Sequence, residues 1–403
     1  MTARRMTIPF PASPKYGDAE IGAVTRLMRA GRLSEVDRGP AITALEDDFA
    51  AAIGTARALS FSSGTAALHA ALHAAGANPG QGVIMSPMTW ISAITAAFHA
   101  GSFPIFADLA PDSPNLDPAA IDPADCSAIL VTHAWGIPAP MDKLTSMRTP
   151  VIEDCSHAPG AACQGRPVGS WGMTGCFSLQ ESKMVSGGEG GILTTSDEHA
   201  YQRALTVGHH PARLAAELTD PGLLPLAGTG ASYKYRMPAI AAVIAREQLR
   251  TLPARMKNCE ANLANLADLI TDATLPLAPV PLEPGTVRGW YGTPFTVLEP
   301  VTDPAALLTT LKVAGLPARA LYPDWLAAPL LRDPALAARY WPHARASRPA
   351  PDPRDFPRYQ RFRRQTIILK IPEVPAPAYI TQLAEVLATA IRATLATAPK
   401  ETR

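Results

Sequence analysis

The sequence predicts an α/β protein with a large, mostly parallel sheet sandwiched by helices and a smaller C-terminal α+β domain. Short β-rich runs alternate with helical stretches rich in alanine and leucine, a pattern typical of a parallel sheet covered by helices. From about residue 275 the pattern changes to proline-punctuated strands mixed with helices. The length of 403 residues suits more than one domain. We therefore place the large domain at residues 1–270 and the small one at residues 271–403.

The elements of the predicted large domain follow one another as strand, helix, strand. In the first of these helices, at residues 65–75, Leu68 and Leu72 lie one turn apart on one face. A longer helix, from residue 238 to about 270, leads out of the domain. The predicted strands occupy residues 58–61, 83–86, 103–107, 128–132, 151–154, 176–179 and 191–195.

The predicted small domain has fewer and more widely spaced elements. We expect strands at residues 292–298 and 366–371, and helices at residues 303–314 and 379–395. The stretch 344–364 is rich in proline and arginine, and we interpret it as a surface loop.

The charge balance argues against a polyanion as partner. Lysine and arginine total 36 and aspartate and glutamate total 35, so the net charge of +1 provides no field for holding nucleic acid. Charged residues make up 18% of the chain, below the ~25% typical of soluble domains. A large part of the chain must therefore face inward.

Residues 84–107 contain no charged side chain and are long enough to cross a bilayer. Pro87, Gly101 and Pro104 interrupt this run, and its hydroxyl side chains would lack partners in lipid. A buried strand, helix and strand fit better, and we expect no membrane association. The N-terminus lacks the apolar stretch of a signal peptide, and the five cysteines form no CxxC pair. These features predict a cytoplasmic protein.

The first chemical motif, residues 62–68, is a strand end whose small hydroxyl residues open a helix. The backbone N–H groups at such a helix start, with the hydroxyls of Ser63 and Thr65, form a phosphate-binding site. An ordinary serine N-cap beside the closely packed Gly64 is the alternative interpretation. No GxGxxG and no GxxxxGK[ST] pattern accompanies it, so the fingerprints of dinucleotide and P-loop sites are missing.

The second motif, residues 151–158, brings an acid to the C-terminal end of an apolar strand, where ligands bind in open α/β sheets. A buried Asp154 would need a cationic partner, which a protonated ring nitrogen would supply. The alternative is that Asp154 caps the following segment.

The third motif, residues 175–191, places Lys183 in an apolar region just before a glycine-rich turn. Such a lysine is suited to a lowered pKa and to Schiff-base chemistry. The glycines would let the backbone pass close to a flat ligand. An exposed lysine beside a plain turn is the alternative.

Together, in this order and spacing, the three motifs resemble the fold-type-I pyridoxal-phosphate enzymes, and specifically the DegT/DnrJ/StrS family of sugar and cyclitol aminotransferases. The resemblance extends over nearly the whole chain and is general beyond residue 275. The further segments that carry it are Tyr16-Gly17-Asp18, Ala30-Gly31-Arg32, Pro87-Met88-Thr89-Trp90, Phe106-Ala107-Asp108, Gly136-Ile137-Pro138, Tyr235-Arg236-Met237 and Gln248-Leu249.

By this resemblance, Lys183 and Asp154 would be the catalytic residues. Lys183 would form the Schiff base with pyridoxal 5'-phosphate and then shuttle a proton as general acid and base. Asp154 would keep the ring nitrogen protonated, so that the ring withdraws electrons. The cofactor-binding residues implied by the family are Ser63, Gly64, Thr65, Trp90, Asp154, His157, Ser178, Gln180, Lys183 and Lys234.

Two of these positions depart from the common family pattern. His157 stands where the family often has glutamine, near the phenolic oxygen of the ring. Lys234 stands where many members have an asparagine that reaches the cofactor phosphate of the neighbouring subunit. The position of Lys234 is the reason why we expect a homodimer with shared active sites.

The family also contains dehydratases in which histidine replaces the Schiff-base lysine, so Lys183 favours transamination. The expected substrates are an amino donor, glutamine or glutamate, and a ketone acceptor. Gln180 and the segment 234–237 resemble the branch that aminates keto-cyclitols of the scyllo-inosose type with glutamine, in secondary-metabolite biosynthesis. Aminohydroxybenzoate synthases share this glutamine. His133 and Trp135 either contact the acceptor or serve packing alone.

Several alternatives remain open. The acceptor could be a nucleotide-linked keto-sugar, or the same fold could catalyse dehydration, elimination or carbon–carbon chemistry. A binding module that holds the cofactor without turnover is a further alternative. The cysteines and His157 show no zinc-binding spacing, so we expect no metal.

Overall fold

The computed structural model describes residues 5–11, 15–231, 233–343 and 350–397. Its strands, numbered in chain order, are β1 (Arg57–Phe61), β2 (Gly82–Met85), β3 (Phe103–Phe106), β4 (Cys126–Thr132), β5 (Val151–Asp154), β6 (Ala162–Cys163), β7 (Arg166–Pro167), β8 (Thr174–Ser178), β9 (Gly191–Thr195), β10 (Leu277–Pro279), β11 (Thr286–Val287), β12 (Thr293–Val297), β13 (Ala318–Arg319) and β14 (Thr366–Leu369).

The α-helices of the same residues are α1 (Asp18–Arg29), α2 (Pro40–Ile53), α3 (Gly64–Ala74), α4 (Ile91–His99), α5 (Met141–Thr145), α6 (Glu198–Leu205), α7 (Pro211–Glu217), α8 (Ala239–Asp272), α9 (Pro304–Val313), α10 (Pro329–Arg332), α11 (Pro334–Tyr340), α12 (Pro357–Gln365) and α13 (Pro377–Thr397). The uncharged run 84–107 contains α4 and strand β3 and begins within β2, as expected.

A seven-stranded sheet with the order β1-β9-β8-β5-β4-β2-β3 forms the centre of the fold. Neighbouring strands from β8 to β3 pair in parallel, whereas β9 pairs antiparallel with both β8 and β1. Only β9 therefore runs against the other six strands, which confirms the mostly parallel sheet. Because parallel strands end at the same edge, the loops after β1, β4, β5 and β8 meet there.

A second sheet, with the order β10-β12-β14-β13, is antiparallel and lies in the C-terminal third of the chain. Helix α8 packs against α1 and α2 as well as against α13, and so connects both parts. One continuous apolar cluster runs from Phe49 and Phe177 through Leu266 to Phe295 and Leu383. The boundary between domains at residue 271 stays a prediction.

The expected surface loop at residues 344–364 is wrong for its second half. Residues 344–349 lie outside the described residues, but Pro357–Gln365 forms helix α12. Tyr359 and Phe362 are buried, three residues apart on one face of this helix. Pro357 occupies the first helical position, where its missing N–H is no disadvantage. Among the described residues, we find no helix with the length and apolar character required to cross a bilayer.

A buried ion-pair network fixes the end of β1 just before the first chemical motif. Glu46 of α2 accepts hydrogen bonds from the backbone N–H (2.8 Å) and hydroxyl (2.9 Å) of Ser60. It also accepts two from the Arg213 guanidinium, at 2.9 Å each, and one from Arg38 at 2.7 Å. Burial by itself raises the pKa of the Glu46 carboxyl, but Arg213 and these hydrogen bonds bring it below its ordinary value.

We expect Glu46→Ala to lower the free energy of unfolding by about 3–5 kcal/mol, because the buried Arg213 loses the carboxylate that accepts two of its hydrogen bonds and keeps only Glu217 as an acidic partner. Denaturant titration of the purified protein measures this loss. Asp47→Ala is the matched control, since Asp47 is a mostly exposed neighbour that also pairs with Arg38; its loss should stay below about 1 kcal/mol. Equal losses in the two variants would contradict the importance of the buried network.

Candidate active site

The start of α3 faces the end of β8 at very short range. Ser63 is the N-cap and accepts a hydrogen bond from the Ala66 N–H at 3.1 Å. A Cβ at Gly64 would lie 2.9 Å from the Cβ of Ser178, and one at Gly191 would lie 2.3 Å from the Ser63 carbonyl oxygen. Glycine is therefore required at both positions. The first N–H groups of a helix lack acceptors within it, so this start can bind an anion.

Glu153 and Asp154 end β5 with two consecutive buried carboxylates. Glu153 accepts hydrogen bonds from three backbone N–H groups, those of Gly169, Trp171 and Gly172, at 2.7–2.8 Å. It also pairs with the Nε2 of His133 at 3.1 Å. These four partners satisfy the carboxylate and attach the loop 169–172 to the strand.

His133, Glu153 and Cys155 bring potential metal-ligating atoms within 4.8 Å of one another. The Nδ1 of His133 already accepts a hydrogen bond from the Ala139 N–H at 3.0 Å, which places the ring proton on Nε2, facing Glu153. Hydrogen bonds thus occupy both nitrogens of His133. Since His133 and Trp135 are fully buried, the structure favours packing over contact with an acceptor.

The carboxylate of Asp154 accepts far fewer hydrogen bonds from the protein than that of Glu153. Its Oδ1 accepts one hydrogen bond from the Ser156 N–H at 3.1 Å. Among the described residues, no lysine, arginine or histidine forms an ion pair with it within 4.0 Å. A buried carboxylate in this state favours a cationic group beside it.

Lys183 is buried in the turn that follows β8. Its backbone N–H donates to the Gln180 carbonyl at 2.9 Å, and its carbonyl accepts from the Lys15 ammonium at 2.5 Å. Burial lowers the pKa of the Lys183 amine, Tyr291 and Asp154 oppose this effect, and Arg319 adds to it. The result is a lysine that loses its proton more easily than an exposed one, as expected of a nucleophile.

The Nζ of Lys183 lies 3.7 Å from the ring centroid of Tyr291. The imidazole of His157 stacks on the same tyrosine, with ring centroids 4.2 Å apart and planes tilted by 2°. The Nε2 of His157 is 2.7 Å from the Tyr322 hydroxyl, and its Nδ1 accepts from the Trp135 N–H at 3.3 Å. Three aromatic side chains from distant parts of the chain therefore surround His157, and one of them, Tyr291, also lies beside Lys183.

Arg319 and Trp90 complete this aromatic cluster. The Arg319 guanidinium lies 5.2 Å from the ring centroids of both Tyr291 and Trp135. Trp90 contacts Tyr322 edge to face at 4.9 Å, yet 43% of its surface is exposed. A broad cavity of about 600 Å³ lies beside the cluster and is lined in part by Ser182, Tyr291 and Arg319.

A glycine contact brings Tyr291 to the lysine. The Gly289 N–H donates to the Gly136 carbonyl at 2.8 Å. A Cβ at Gly136 would lie 2.2 Å from the Gly289 carbonyl oxygen, and one at Gly289 would lie 2.6 Å from the Cα of Ala158. Any larger residue at either position would push the segment before β12, and Tyr291 with it, away from Lys183.

Gln180 and Lys234 lie at the edge of this arrangement. The Gln180 Oε1 accepts hydrogen bonds from the Ser182 N–H at 2.8 Å and hydroxyl at 2.7 Å, so its carbonyl end faces the lysine turn. Lys234 is exposed, and the carbonyl of the next residue, Tyr235, accepts from the Ser62 N–H at 2.6 Å. Lys234 thus directly precedes a residue, Tyr235, that is hydrogen-bonded to the segment before α3.

Sequence reasoning missed Tyr291, Tyr322 and Arg319. The only local signal is the pair of glycines flanking the aromatic residues in Gly289-Trp290-Tyr291-Gly292. Its meaning depends on the approach of Gly136, which lies more than 150 residues earlier and is visible only in the fold.

A sheet of this topology, with an acid at the C-terminal end of β5 and a buried lysine after β8, defines the class of fold-type-I pyridoxal-phosphate enzymes. The sequence matches the DegT/DnrJ/EryC1/StrS aminotransferase family over residues 14–347. The chain belongs to this family, which confirms the expected class of enzyme, a pyridoxal-phosphate-dependent aminotransferase.

Two curated relatives are glutamine-dependent aminotransferases. The chain is 31% identical over 352 residues to L-glutamine:2-deoxy-scyllo-inosose aminotransferase from Streptomyces kanamyceticus, covering 82% of this chain and 81% of the relative. A protein of the same description from Streptomyces lividus is 32% identical over 280 residues, with 66% of each chain covered.

Among solved structures, 3-amino-5-hydroxybenzoic acid synthase matches with a TM-score of 0.80 and 25% identity, over 97% of this chain and all of the other. The aminotransferase from Psychrobacter cryohalolentis matches with a TM-score of 0.81 at 23% identity, over 96% of this chain and all of the other, which bears on the fold alone. Both matches agree with the predicted fold class.

The buried, neutral His157 should make stability depend on pH. Burial, followed by Lys183 and Arg319, holds the pKa of His157 well below its ordinary value. The unfolded chain therefore binds the extra proton below about pH 6.5, and the folded state loses stability as the pH falls. We expect His157→Gln to cost about 1–3 kcal/mol near pH 7.5 for lost hydrogen bonds.

The difference in unfolding free energy between wild type and His157→Gln should shrink by about 1 kcal/mol or more near pH 5. Wild type loses stability there because its unfolded chain binds a proton at His157, whereas glutamine binds none. Denaturant titrations at the two pH values measure it. His343→Gln, at an exposed histidine, is the control and should show no such change. A cost for His157→Gln that is the same at both pH values would contradict the neutral assignment.

Proposed function

We propose that this aminotransferase moves the amino group of glutamine or glutamate to a keto-cyclitol or a related keto-sugar in secondary-metabolite biosynthesis. The observation that carries the proposal is the pairing of a buried Lys183, whose amine loses its proton readily, with the incompletely satisfied Asp154. The Asp154 carboxylate opposes in part the lowering of the Lys183 pKa by burial, which supports a site shared by the two groups.

Two features of the site fit pyridoxal 5'-phosphate. The start of α3, with Ser63, Gly64 and Thr65, would receive the phosphate, because Gly64 leaves space that a Cβ would fill. Asp154 would face the protonated ring nitrogen. This nitrogen would supply the cationic partner that the buried carboxylate needs. When bound, the cofactor supplies an aldehyde carbon that exchanges amines and a ring that withdraws electrons from the substrate.

The remaining residues would hold and cover the cofactor. The Ser178 hydroxyl, next to Gly64, would join the phosphate contacts, and the open face of Trp90 would cover the ring. His157, fixed by Tyr322 and the Trp135 N–H, would present a neutral imidazole. We assign Gln180 to the edge of the cofactor site.

We assign the bond to the cofactor and the proton transfers of the reaction to Lys183. A neutral amine at Nζ would bond to the cofactor. Once released, it would move a proton from the donor's α-carbon to the cofactor and, in the second half-reaction, from the cofactor to the carbon of the acceptor. Burial keeps water from competing for this proton.

The acceptor is proposed from the relatives. Two relatives are named for a reaction of glutamine with 2-deoxy-scyllo-inosose. Gln180 and the segment 234–237 favour the same branch, so we propose a keto-cyclitol over a nucleotide-linked keto-sugar. We further propose a cytoplasmic homodimer in which Lys234 reaches the phosphate bound by the neighbouring subunit. The exposed Tyr233, stacked on Tyr235 at 5.1 Å, supports a contact surface here.

We expect Lys183→Ala to fold but to lose covalent attachment of the cofactor, because the amine that bonds to it is gone. The yellow absorbance should disappear from the dialysed protein, and borohydride reduction should no longer fix the cofactor to the chain. Lys312→Ala, at an exposed lysine, is the control and should retain both signals. A yellow, active Lys183→Ala protein would overturn the assignment of Lys183.

We expect glutamine or glutamate to convert the cofactor-loaded enzyme to its amine form, which then aminates a keto-cyclitol. Absorbance would follow the first half-reaction, and mass spectrometry would detect the amine on scyllo-inosose or on a nucleotide-linked keto-sugar in separate reactions. Amination of the nucleotide-linked sugar alone would overturn the proposed acceptor. No conversion with any amino donor would overturn the aminotransferase proposal itself.

A further inference from the structure

The turn that carries Lys183 is attached to the N-terminal part of the chain by the side chains of residues 15 and 16. The Lys15 ammonium donates a hydrogen bond to the Lys183 carbonyl at 2.5 Å. Among the described residues, no aspartate or glutamate forms an ion pair with Lys15 within 4.0 Å. A hydrogen bond from a charged donor is about twice as strong as one from a neutral donor. The charge of Lys15 therefore acts on the backbone of Lys183 and not on a carboxylate.

The Tyr16 hydroxyl makes a second attachment, to residues on both sides of Lys183. It lies 2.5 Å from the Glu181 Oε2 and 3.0 Å from the Ser186 Oγ. Since an ionised carboxylate can only accept, Tyr16 donates to Glu181 and accepts the proton of Ser186. The Ser186 oxygen in turn accepts the Gly188 N–H at 3.0 Å. A single tyrosine thus joins the residues that precede and follow the lysine.

Helices α1 and α8 fix the backbone from which these two side chains project. The Nε2 of the buried Gln248 donates to the Lys15 carbonyl at 3.0 Å and to the Glu20 Oε1 at 2.6 Å. The Glu20 Oε2 accepts the Gly17 N–H at 2.8 Å, at the start of α1. Because their own backbone is held in this way, Lys15 and Tyr16 can restrain the lysine turn instead of following its movements.

Residues 6–8 attach the N-terminal part of the chain to the C-terminal region as well. The Met6 N–H donates to the Ala314 carbonyl at 2.9 Å. The N–H groups of Thr7 and Ile8 both donate to the Gln382 Oε1, at 3.0 Å and 2.8 Å. The chain is therefore anchored on both sides of residues 12–14, and Lys15 and Tyr16 do not belong to a free tail.

We propose that Lys15 and Tyr16 are positioning residues, which fix the turn of residues 180–188 and thereby the location of the Lys183 amine. The ammonium of a lysine is carried on a flexible stem of four carbons, so its location is defined only if the backbone below it is held. Lys15 holds the carbonyl of Lys183 itself, and Tyr16 holds the turn before and after it.

This role rests on the proposed function, in which the Lys183 amine bonds to the cofactor, is released and then transfers protons. After release, the amine must stay within reach of the reacting atoms, and a misplacement of about 1 Å can cost about 100-fold in rate. Lys15 also lines the cavity beside Tyr291 and Arg319. Direct contact between Lys15 and the amino donor is therefore the competing explanation that the tests must separate.

The first test follows hydrogen exchange by mass spectrometry in the cofactor-free full-length protein, so it needs no turnover. Lys15→Met and Tyr16→Phe should each speed exchange in residues 180–188 by about 10-fold, because the turn opens more often without these hydrogen bonds. Lys312→Met and Tyr340→Phe, at exposed positions, are the matched controls and should leave the turn unchanged. Exchange in the central strand β4 should be the same in all four variants.

The second test measures the rate at which pyridoxal phosphate attaches to the cofactor-free protein, together with kcat and the KM for the amino donor. Lys15→Met should slow attachment and lower kcat, each by about 10–100-fold, with nearly the same KM. Lys15→Arg should recover most of both rates, because a guanidinium can donate to the same carbonyl. A raised KM with normal attachment would show that Lys15 contacts the donor, and would overturn its positioning role.

The contact between Tyr16 and Glu181 is tested by a double-mutant cycle. Tyr16→Phe and Glu181→Ala should slow attachment by similar factors, and the double variant should be no slower than either one, because all three lack the same hydrogen bond. Glu181→Gln, whose amide oxygen still accepts, should attach cofactor faster than Glu181→Ala. Effects that multiply in the double variant would contradict an action of Tyr16 through Glu181.

Exchange in residues 180–188 that stays at the wild-type rate in both Lys15→Met and Tyr16→Phe would overturn the proposal. If wild-type protein attaches no cofactor at Lys183, the proposed function fails, and hydrogen exchange still decides whether Lys15 and Tyr16 hold the turn. If wild-type protein attaches cofactor normally and Lys15→Met attaches it equally fast, only the positioning role fails.

Discussion

The site depends on how the protein treats two adjacent buried carboxylates. Consecutive residues of a strand point to opposite faces of the sheet, so Glu153 and Asp154 enter different environments although they are neighbours in sequence. Glu153 is surrounded by three backbone N–H groups and His133. Asp154 receives a single backbone N–H from the protein. Glu153 therefore stabilises the loop that follows the strand, whereas Asp154 can still accept hydrogen bonds from a ligand.

The same distinction explains the low content of charged residues. An unpaired buried charge is costly, so a chain with a large interior can bury few of them. Glu46 and Arg213 are buried as a hydrogen-bonded pair that fixes the strand leading into α3. Asp154 and Lys183 are buried without such a pairing. Buried groups that lack a full set of partners, as Asp154 and Lys183 do, lower stability and are typical of functional sites.

Much of the large sheet could be predicted from the sequence, because its strands are short apolar runs between helical segments and each motif lies at a strand end. Lys183, Asp154 and the Ser63–Thr65 segment required only local pattern and resemblance. Helix α12 was missed because prolines and arginines dominate its composition, while the two residues that fix it to the core, Tyr359 and Phe362, are a weak periodic signal. Tyr291 was missed because its position depends on a contact between Gly136 and Gly289.

The position of Tyr291 has a consequence for the pKa of Lys183. The motifs around Asp154 and Lys183 come from the parallel sheet, whereas Tyr291, Arg319 and Tyr322 come from the region beyond residue 275. These three residues nevertheless act on the pKa of Lys183 or of the phenol beside it. The large domain thus provides the candidate reacting amine of Lys183, and burial, Asp154 and two C-terminal residues, Tyr291 and Arg319, together set its pKa. Substitutions in the C-terminal region can therefore change the pKa of Lys183 without altering the sheet.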